Sequence, residues 1–232
     1  MPDQSELLQA LQPQDRALLQ PHFTTLHLEA GRILYQPGDF VDHCYFPCGS
    51  AIASYFVVLD RGLAVETLMV GREGALGGIV SQGAIPAYAR ASVMHGGQFM
   101  RIALADLERA KASSPSVRAL LARYADCLLA QVFQSIACNA AHTIEQRAAK
   151  WLIATTQRIG RNDIRMTQEQ LASMMGIGRS YASRVVQRFK GDGLVRTRRN
   201  GIEVLEPEAL RHRACRCNDL VRNHFAKVLR GV

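Results

Sequence analysis

The placement of glycine constrains this chain more than any other feature. Glycines punctuate its front at Gly31, Pro37-Gly38, Gly49, Gly62, Gly71, Gly74 and Gly96-Gly97; after Ala103 they stop, and none occurs before Gly160. A glycine costs a helix interior about 1 kcal/mol relative to alanine, whereas it supplies the tight turns that short strands need. The front is therefore turn-rich and the middle helical. Between the turns lie short alternating or apolar runs at Thr25–Leu28, Arg32–Tyr35, His43–Phe46, Ala51–Val58, Ala64–Val70 and Phe99–Ile102. That texture predicts an antiparallel all-β roll or barrel. Ahead of it, Leu7, Leu8, Leu11, Leu18 and Leu19 around Pro13 predict one or two short helical turns.

In the glycine-free stretch Pro115 is placed to open a long helix, with Leu121, Ala125, Leu128, Val132, Ile136 and Asn139 following at spacings of three or four. Leu120, Tyr124, Leu129 and Phe133 widen the apolar stripe enough to serve two partners, the roll on one side and a second copy of the helix on the other. A homodimer is expected, with Leu121, Tyr124, Leu128, Val132 and Ile136 at its interface. A further helix is expected from about Thr143 through Ile144, Ala148, Trp151, Leu152 and Ile153. The expected division is a β-roll over 1–114, a dimerisation helix over 115–143 and a DNA-binding module over 144–232.

At 232 residues, 48% hydrophobic and 21% charged, the chain has an ordinary globular composition, which excludes disorder as its main state. No window is long and apolar enough for a membrane span, and Met1-Pro2-Asp3-Gln4-Ser5-Glu6 lacks the basic start and apolar stretch of a signal peptide. A cytoplasmic protein with no membrane partner is expected, its six cysteines reduced. The charge is uneven. Residues 1–110 carry 7 basic and 11 acidic side chains, whereas residues 145–232 carry 18 and 8. A strongly basic rear half suggests a polyanionic partner.

That rear half contains a motif. Thr167 and Gln170 form a capping box, and Leu171-Ala172-Ser173-Met174-Met175-Gly176-Ile177-Gly178-Arg179-Ser180-Tyr181-Ala182-Ser183-Arg184-Val185-Val186 follows. A helix-turn-helix needs a small residue where its helices cross, a residue free to take positive φ in its turn, and apolar inward positions. Ala172, Gly176 and the set Leu171, Met175, Ile177, Ala182 and Val185 meet these needs. The outward face of the second helix then carries Arg179, Ser180, Ser183, Arg184, Gln187 and Arg188. Arginine can reach guanine O6 and N7 together, so Arg179, Ser180, Ser183 and Arg184 are the expected base contacts. Val195 to Leu205 reads as a hairpin turning at Asn200-Gly201, a wing. Thr167, Gln168, Gln187, Arg188, Lys190, Arg196, Arg198 and Arg199 are the expected phosphate contacts.

A β-roll, a long helix and a C-terminal winged helix-turn-helix, in that order, resemble the cyclic-AMP receptor protein (Crp/Fnr) family of bacterial transcription regulators. The resemblance is carried by Gly31-Arg32-Ile33-Leu34-Tyr35-Gln36-Pro37-Gly38-Asp39, by Asn139-Ala140-Ala141-His142-Thr143-Ile144-Glu145-Gln146-Arg147, and by Thr167 to Arg184. It implies an α+β fold with a cyclic-nucleotide-binding-like roll, a homodimer on a palindromic double-stranded operator, and RNA polymerase as a further partner. Arg179 and Arg184 match the family's base-reading arginines and Ser183 a serine of the Fnr branch, while Ser180 replaces a glutamate. The nucleotide site departs further. The family's Gly-Glu-Leu turn is Gly74-Ala75-Leu76, and its Arg-Ser pair falls near Ala87-Tyr88, where the tyrosine ring is expected to enter the phosphate's space; Arg90 is the nearest cation. No cysteine precedes Cys44, so the Fnr-type iron-sulfur arrangement is missing too. The expectation is a regulator not controlled by cyclic AMP, with no cofactor. The other reading is a redox or small-molecule sensor acting through protein contacts, with a helix-turn-helix that no longer binds DNA.

Two cysteine groups complete the reading. His43-Cys44 with Cys48 fits core packing better than a metal site. Cys215 and Cys217 lie among Arg211, Arg213 and Arg216, which would lower a thiol pKa, with His212 and His224 nearby; a redox or metal role and simple packing both remain open. His95 and His142 have no partner at ligand spacing. No Gly-x-Ser-x-Gly, P-loop or His-Glu-x-x-His occurs, and no enzyme is expected.

Overall fold

The computed structural model describes residues 5–60, 63–79, 83 and 85–229; Gly62 and the first four residues considered above lie outside them. Two short helices, α1 (Glu6–Gln9) and α2 (Pro13–Leu19), precede the strands β1 (Thr24–Leu28), β2 (Ile33–Tyr35), β3 (His43–Pro47), β4 (Ile52–Val58), β5 (Ala64–Val70), β6 (Arg90–His95) and β7 (Gly97–Ala103). All pair antiparallel, in sheets ordered β1-β7-β3 and β2-β6-β4-β5. The sequence reading missed β6. Its residues, Arg-Ala-Ser-Val-Met-His, lack an apolar run, and pairing on both sides, with β2 and β4, makes it a strand.

Strands β4 and β5, whose pairing shifts register between Tyr55 and Phe56, lie between two cores. Ala53, Leu68 and Val70 join the roll interior, while Ile52, Phe56, Ala64 and Met69 join the core of the C-terminal module. A sheet buried on both faces needs apolar residues at both parities, which explains why these two strands read as nearly continuous apolar runs.

Helix α3 (Leu104–Ser113) leads to α4 (Pro115–Ala141), where Ser114 caps the N-terminus by accepting from the Val117 N–H at 3.3 Å and Pro115 occupies the first turn. After a break at His142-Thr143, α5 (Ile144–Ile159) starts at a capping box between Thr143 and Gln146. The rest is β8 (Asp163–Ile164), α6 (Gln168–Met175), α7 (Arg179–Gly191), β9 (Val195–Arg198), β10 (Gly201–Val204), α8 (Pro207–Arg213) and α9 (Cys217–Leu229). Helix α9 returns along α4, with Phe225 edge-on to Tyr124 at 6.2 Å between ring centroids.

The faces of α4 differ from expectation. Leu121 and Tyr124 are buried in the chain's own core, and Leu128 and Val132 pack against that core from its edge. Only Ile136 of the five expected interface residues stands clear, at 64% exposure, and it continues a stripe with Leu129 and Phe133, 50% and 62% exposed. The roll and α9 claim one side of the helix, so the free apolar face is rotated from the one expected.

Candidate nucleic-acid interface

The helix-turn-helix is built from the residues its motif requires. Thr167 Oγ1 accepts from the Gln170 N–H at 3.1 Å and Gln170 Oε1 from the Thr167 N–H at 2.8 Å, so α6 starts with both bonds of its capping box. Gly176 ends it in the left-handed region, at φ 66°, where a side chain would be strained. Arg147 of α5 donates to the Met175 carbonyl at 3.1 Å, satisfying the end of α6. Leu171, Met175, Val185, Val186 and Phe189 lock the two helices onto α5.

With that side buried, Arg179, Ser180, Arg184, Gln187, Arg188 and Lys190 are exposed along α7, and Ser183 is half-buried among them. The Arg184 guanidinium lies over the Tyr181 ring, 5.2 Å from its centroid, which restricts a long flexible side chain before any ligand arrives. The other cations divide into two groups. Arg188 is paired with Glu145, and Arg196 and Arg198 both pair with Glu203, at 2.7 and 2.6 Å. These two arginines hold the Glu203 carboxyl below its ordinary range. Lys190 and Arg199 are exposed with no ion pair among the described residues. Sequence reasoning did not anticipate Glu145 and Glu203, because their partners come from across a helix pair and across a strand pair. Thr167 and Gln168 are half-buried at the start of α6, and Asn200 takes φ 58° at the wing's turn.

The module is docked on its own roll. Ser173 donates to the Ala64 carbonyl at 2.7 Å, Trp151 Nε1 to Glu66 at 2.8 Å, and Arg158 pairs with Glu73 at 2.8 Å. Burial pushes Glu66 above the usual carboxylate range against the hydrogen bonds from Ser54 and Trp151. Burial works to raise Glu73 as well, but Arg158 and the surrounding backbone N–H groups outweigh it and hold that carboxyl below its ordinary value.

Among the described residues, tyrosines occupy the roll interior. Tyr124 reaches in from α4, its hydroxyl accepting from the Ala75 N–H at 2.9 Å and donating to the Ala75 carbonyl at 3.0 Å. A Cβ on Gly74 would lie 2.3 Å from that hydroxyl, so glycine is required for this close approach. Tyr35 donates to Tyr55 at 3.0 Å, and Tyr55 accepts from the Gly77 N–H at 3.2 Å. Two expectations are corrected. Tyr88 does not enter the roll but stands 84% exposed, and Arg90 lies over Phe56, on the opposite face of β6 from the inward Ala91, so it cannot serve the interior.

The cysteines divide by location. Cys44 is buried inward on β3 while His43 pairs with Asp42 at 2.6 Å. Cys215 and Cys217 meet neither His212 nor His224 but Cys138 and His142, which bracket the last turn of α4. Their expected arginines are turned elsewhere, Arg213 to Asp192 and Arg211 to Glu208 and Asp219. The hydrogen bond to Cys138 and burial push the Cys215 thiol up, and burial pushes up Cys217. Cys138 is the low one, held below the ordinary thiol range by the Cys215 thiol and, against burial, by Lys150. His95, by contrast, stands apart from the cysteines and contacts Arg161 at 3.0 Å.

This arrangement defines a class: a winged helix-turn-helix carried on a β-roll through one long helix. Residues 146–213 match the Crp-like helix-turn-helix domain. Solved structures of the same fold include a protein from Eubacterium rectale assigned to the Crp/Fnr regulators (17% identity over 90% of this chain and 97% of that one, TM-score 0.68), FixK2 from Bradyrhizobium japonicum (15%, 83% and 98%, 0.69) and the c-di-GMP-responsive global regulator CLP from Xanthomonas campestris (14%, 83% and 99%, 0.67). No curated protein matches the chain by sequence. The chain thus has the Crp/Fnr fold, and its C-terminal part is a Crp-like helix-turn-helix domain. Among the described residues, no helix is long and apolar enough to cross a membrane.

Proposed function

We propose that this protein is a homodimeric, sequence-specific DNA-binding transcription regulator that works without cyclic AMP. One observation carries the reading: within a Crp-like helix-turn-helix domain, α7 is held rigidly by its buried face while Arg179, Ser180, Arg184 and Gln187 stand free on the other. In this motif that face enters the major groove. Arg179, Ser180, Ser183 and Arg184 read bases. Lys190 and Arg199 hold phosphates, as do Thr167, Gln168 and Gln187, while Arg188, Arg196 and Arg198 reach phosphates by exchanging or sharing their carboxylate partners. Two copies related by a two-fold axis through α4 would present two such helices about 34 Å apart, so the operator is palindromic. Contact with RNA polymerase rests on the family resemblance alone.

Independence from cyclic AMP is supported by the roll. A buried cyclic phosphate needs a paired cation and several donors. Among the described residues, the interior's tyrosine hydroxyls are already bonded to one another and to Gly77 and Ala75, Arg90 faces away, and the buried Lys111 ammonium donates to the Ile79 carbonyl at 3.2 Å. Selection of bound duplexes from a random pool, followed by gel shifts with and without cyclic AMP, tests the proposal. A two-fold symmetric consensus bound equally in both conditions is expected; failure to enrich any sequence would refute it.

A further inference from the structure

Four metal-binding side chains converge where α4 ends. Cys138 and His142 lie one helical turn apart, the His142 N–H donating to the Cys138 carbonyl at 3.1 Å; Cys215 lies in the short link between α8 and α9, and Cys217 is the first residue of α9. All four ligand atoms lie within 4.8 Å of one another. Cys138 Sγ is 3.6 Å from Cys215 Sγ, and Cys217 Sγ is 3.6 Å from His142 Nδ1.

We infer that Cys138, His142, Cys215 and Cys217 form a tetrahedral Cys3His site for zinc. Zinc lies about 2.3 Å from thiolate sulfur and about 2.0 Å from imidazole nitrogen, so the edges of its tetrahedron are roughly 3.8 Å between sulfurs and roughly 3.5 Å between sulfur and nitrogen. The two 3.6 Å separations fit these edges. A disulfide would need sulfurs at about 2.05 Å, so Cys138 and Cys215 stand at the spacing of shared ligands and not of a bond. Three thiolates, one imidazole and a divalent ion sum to one negative charge, and the Lys150 ammonium, 3.3 Å from Cys138 Sγ, compensates it. Gln134 Nε2 donates to Cys217 Sγ at 3.2 Å, so two of the sulfurs already have the outer hydrogen-bond donors that orient metal-bound thiolates. The three cysteines are buried and His142 half-buried. On binding, Cys215 and Cys217 lose their protons to solvent as their sulfurs take the metal, so occupancy rises with pH.

The ligands come from both sides of the His142-Thr143 break between α4 and α5. A bound zinc therefore ties the end of the long helix to the far end of the C-terminal module, bridging the one break between them. If the DNA-binding reading above holds, this tie also sets the angle at which α7 leaves α4; the site itself does not depend on that reading.

Titration of the reduced full-length protein with Co2+ under anaerobic conditions tests it. The expected result is a near-ultraviolet thiolate-to-cobalt charge-transfer band with intense tetrahedral d–d bands, saturating at one equivalent per chain and abolished by Zn2+. Cys138→Ser and Cys215→Ser should each cut the charge-transfer intensity by a third or more, whereas Cys127→Ser, on α4 but outside the cluster, should leave it unchanged. In the wild-type chain Zn2+ should slow alkylation of Cys138, Cys215 and Cys217 and leave Cys44, Cys48 and Cys127 unaffected, a readout that needs no variant to fold. Absence of a saturable band, wild-type intensity in both serine variants, or equal alkylation rates with and without Zn2+ would each overturn the assignment.

Discussion

Replacing Phe133 with alanine should weaken assembly far more than folding. Leu129, Phe133 and Ile136 are 50%, 62% and 64% exposed on α4, although each is large and apolar. Fully burying such a side chain stabilises by about 2 kcal/mol, so the part of Phe133 still in water is worth about 1.2 kcal/mol once a partner covers it. The two-fold axis counts it twice. A loss of about 2.5 kcal/mol raises the dimer dissociation constant nearly two orders of magnitude. Phe133→Glu should go further, because it brings two carboxylates toward one apolar seam. Sedimentation equilibrium across a concentration series reads this directly, and thermal melts of the variants report folding separately. Leu121→Ala is the contrast: that side chain is inside the chain's own core, so its loss should lower stability by about 2 to 5 kcal/mol before it affects the seam. A wild-type chain that stays monomeric at tens of micromolar, or a Phe133→Ala variant with an unchanged dissociation constant, would refute the reasoning.

Arg184→Ala should cost about 1 to 3 kcal/mol per half-site and relax sequence preference, whereas Arg199→Ala should weaken all DNA alike and flatten the salt dependence by about one phosphate contact per subunit; gel shifts on matched and scrambled operators distinguish them, and identical behaviour would show the sorting to be mistaken. Glu203→Gln, by releasing Arg196 and Arg198, should tighten binding to scrambled DNA, and weaker binding would contradict that role. Glu73→Gln should destabilise the chain by about 2 kcal/mol at neutral pH, since it leaves the largely buried Arg158 without its partner. Because the folded-state pKa of Glu73 is depressed, its contribution is full above the ordinary carboxylate pKa and is lost as pH falls through the folded value, so the difference between variant and wild type in urea melts should shrink on acidification. A difference that is constant or grows toward acid would rule this out. Calorimetry with cyclic AMP should show no saturable binding below about 50 μM, roughly −6 kcal/mol, and binding in that range would return the roll to nucleotide sensing.

The sequence determined what depends on local chemistry. Glycine spacing separates the roll from the helices, Pro115 starts α4, and Thr167, Gly176 and the apolar positions around them specify α6, its turn and α7, because caps, left-handed turns and helical periodicity act over a few residues. It also marked Arg179 and Arg184 as outward, since helical phase follows from the buried positions. Only the tertiary structure decided what depends on contact between distant segments. Which side of α4 stays free was settled by the roll and by α9, which bury Leu121 and Tyr124 and leave Phe133 and Ile136 in water. Strand β6, which no apolar run announces, is held by pairing with β2 and β4 and by burial of Ala91 and Val93 in the roll core. The pairing of Arg188 with Glu145 and the meeting of Cys138 and His142 with Cys215 and Cys217 join residues 43 and more than 70 positions apart. No periodicity encodes such separations; they exist because the C-terminal module folds back onto the end of the long helix, and burial of its shared core, not any local preference, drives that return.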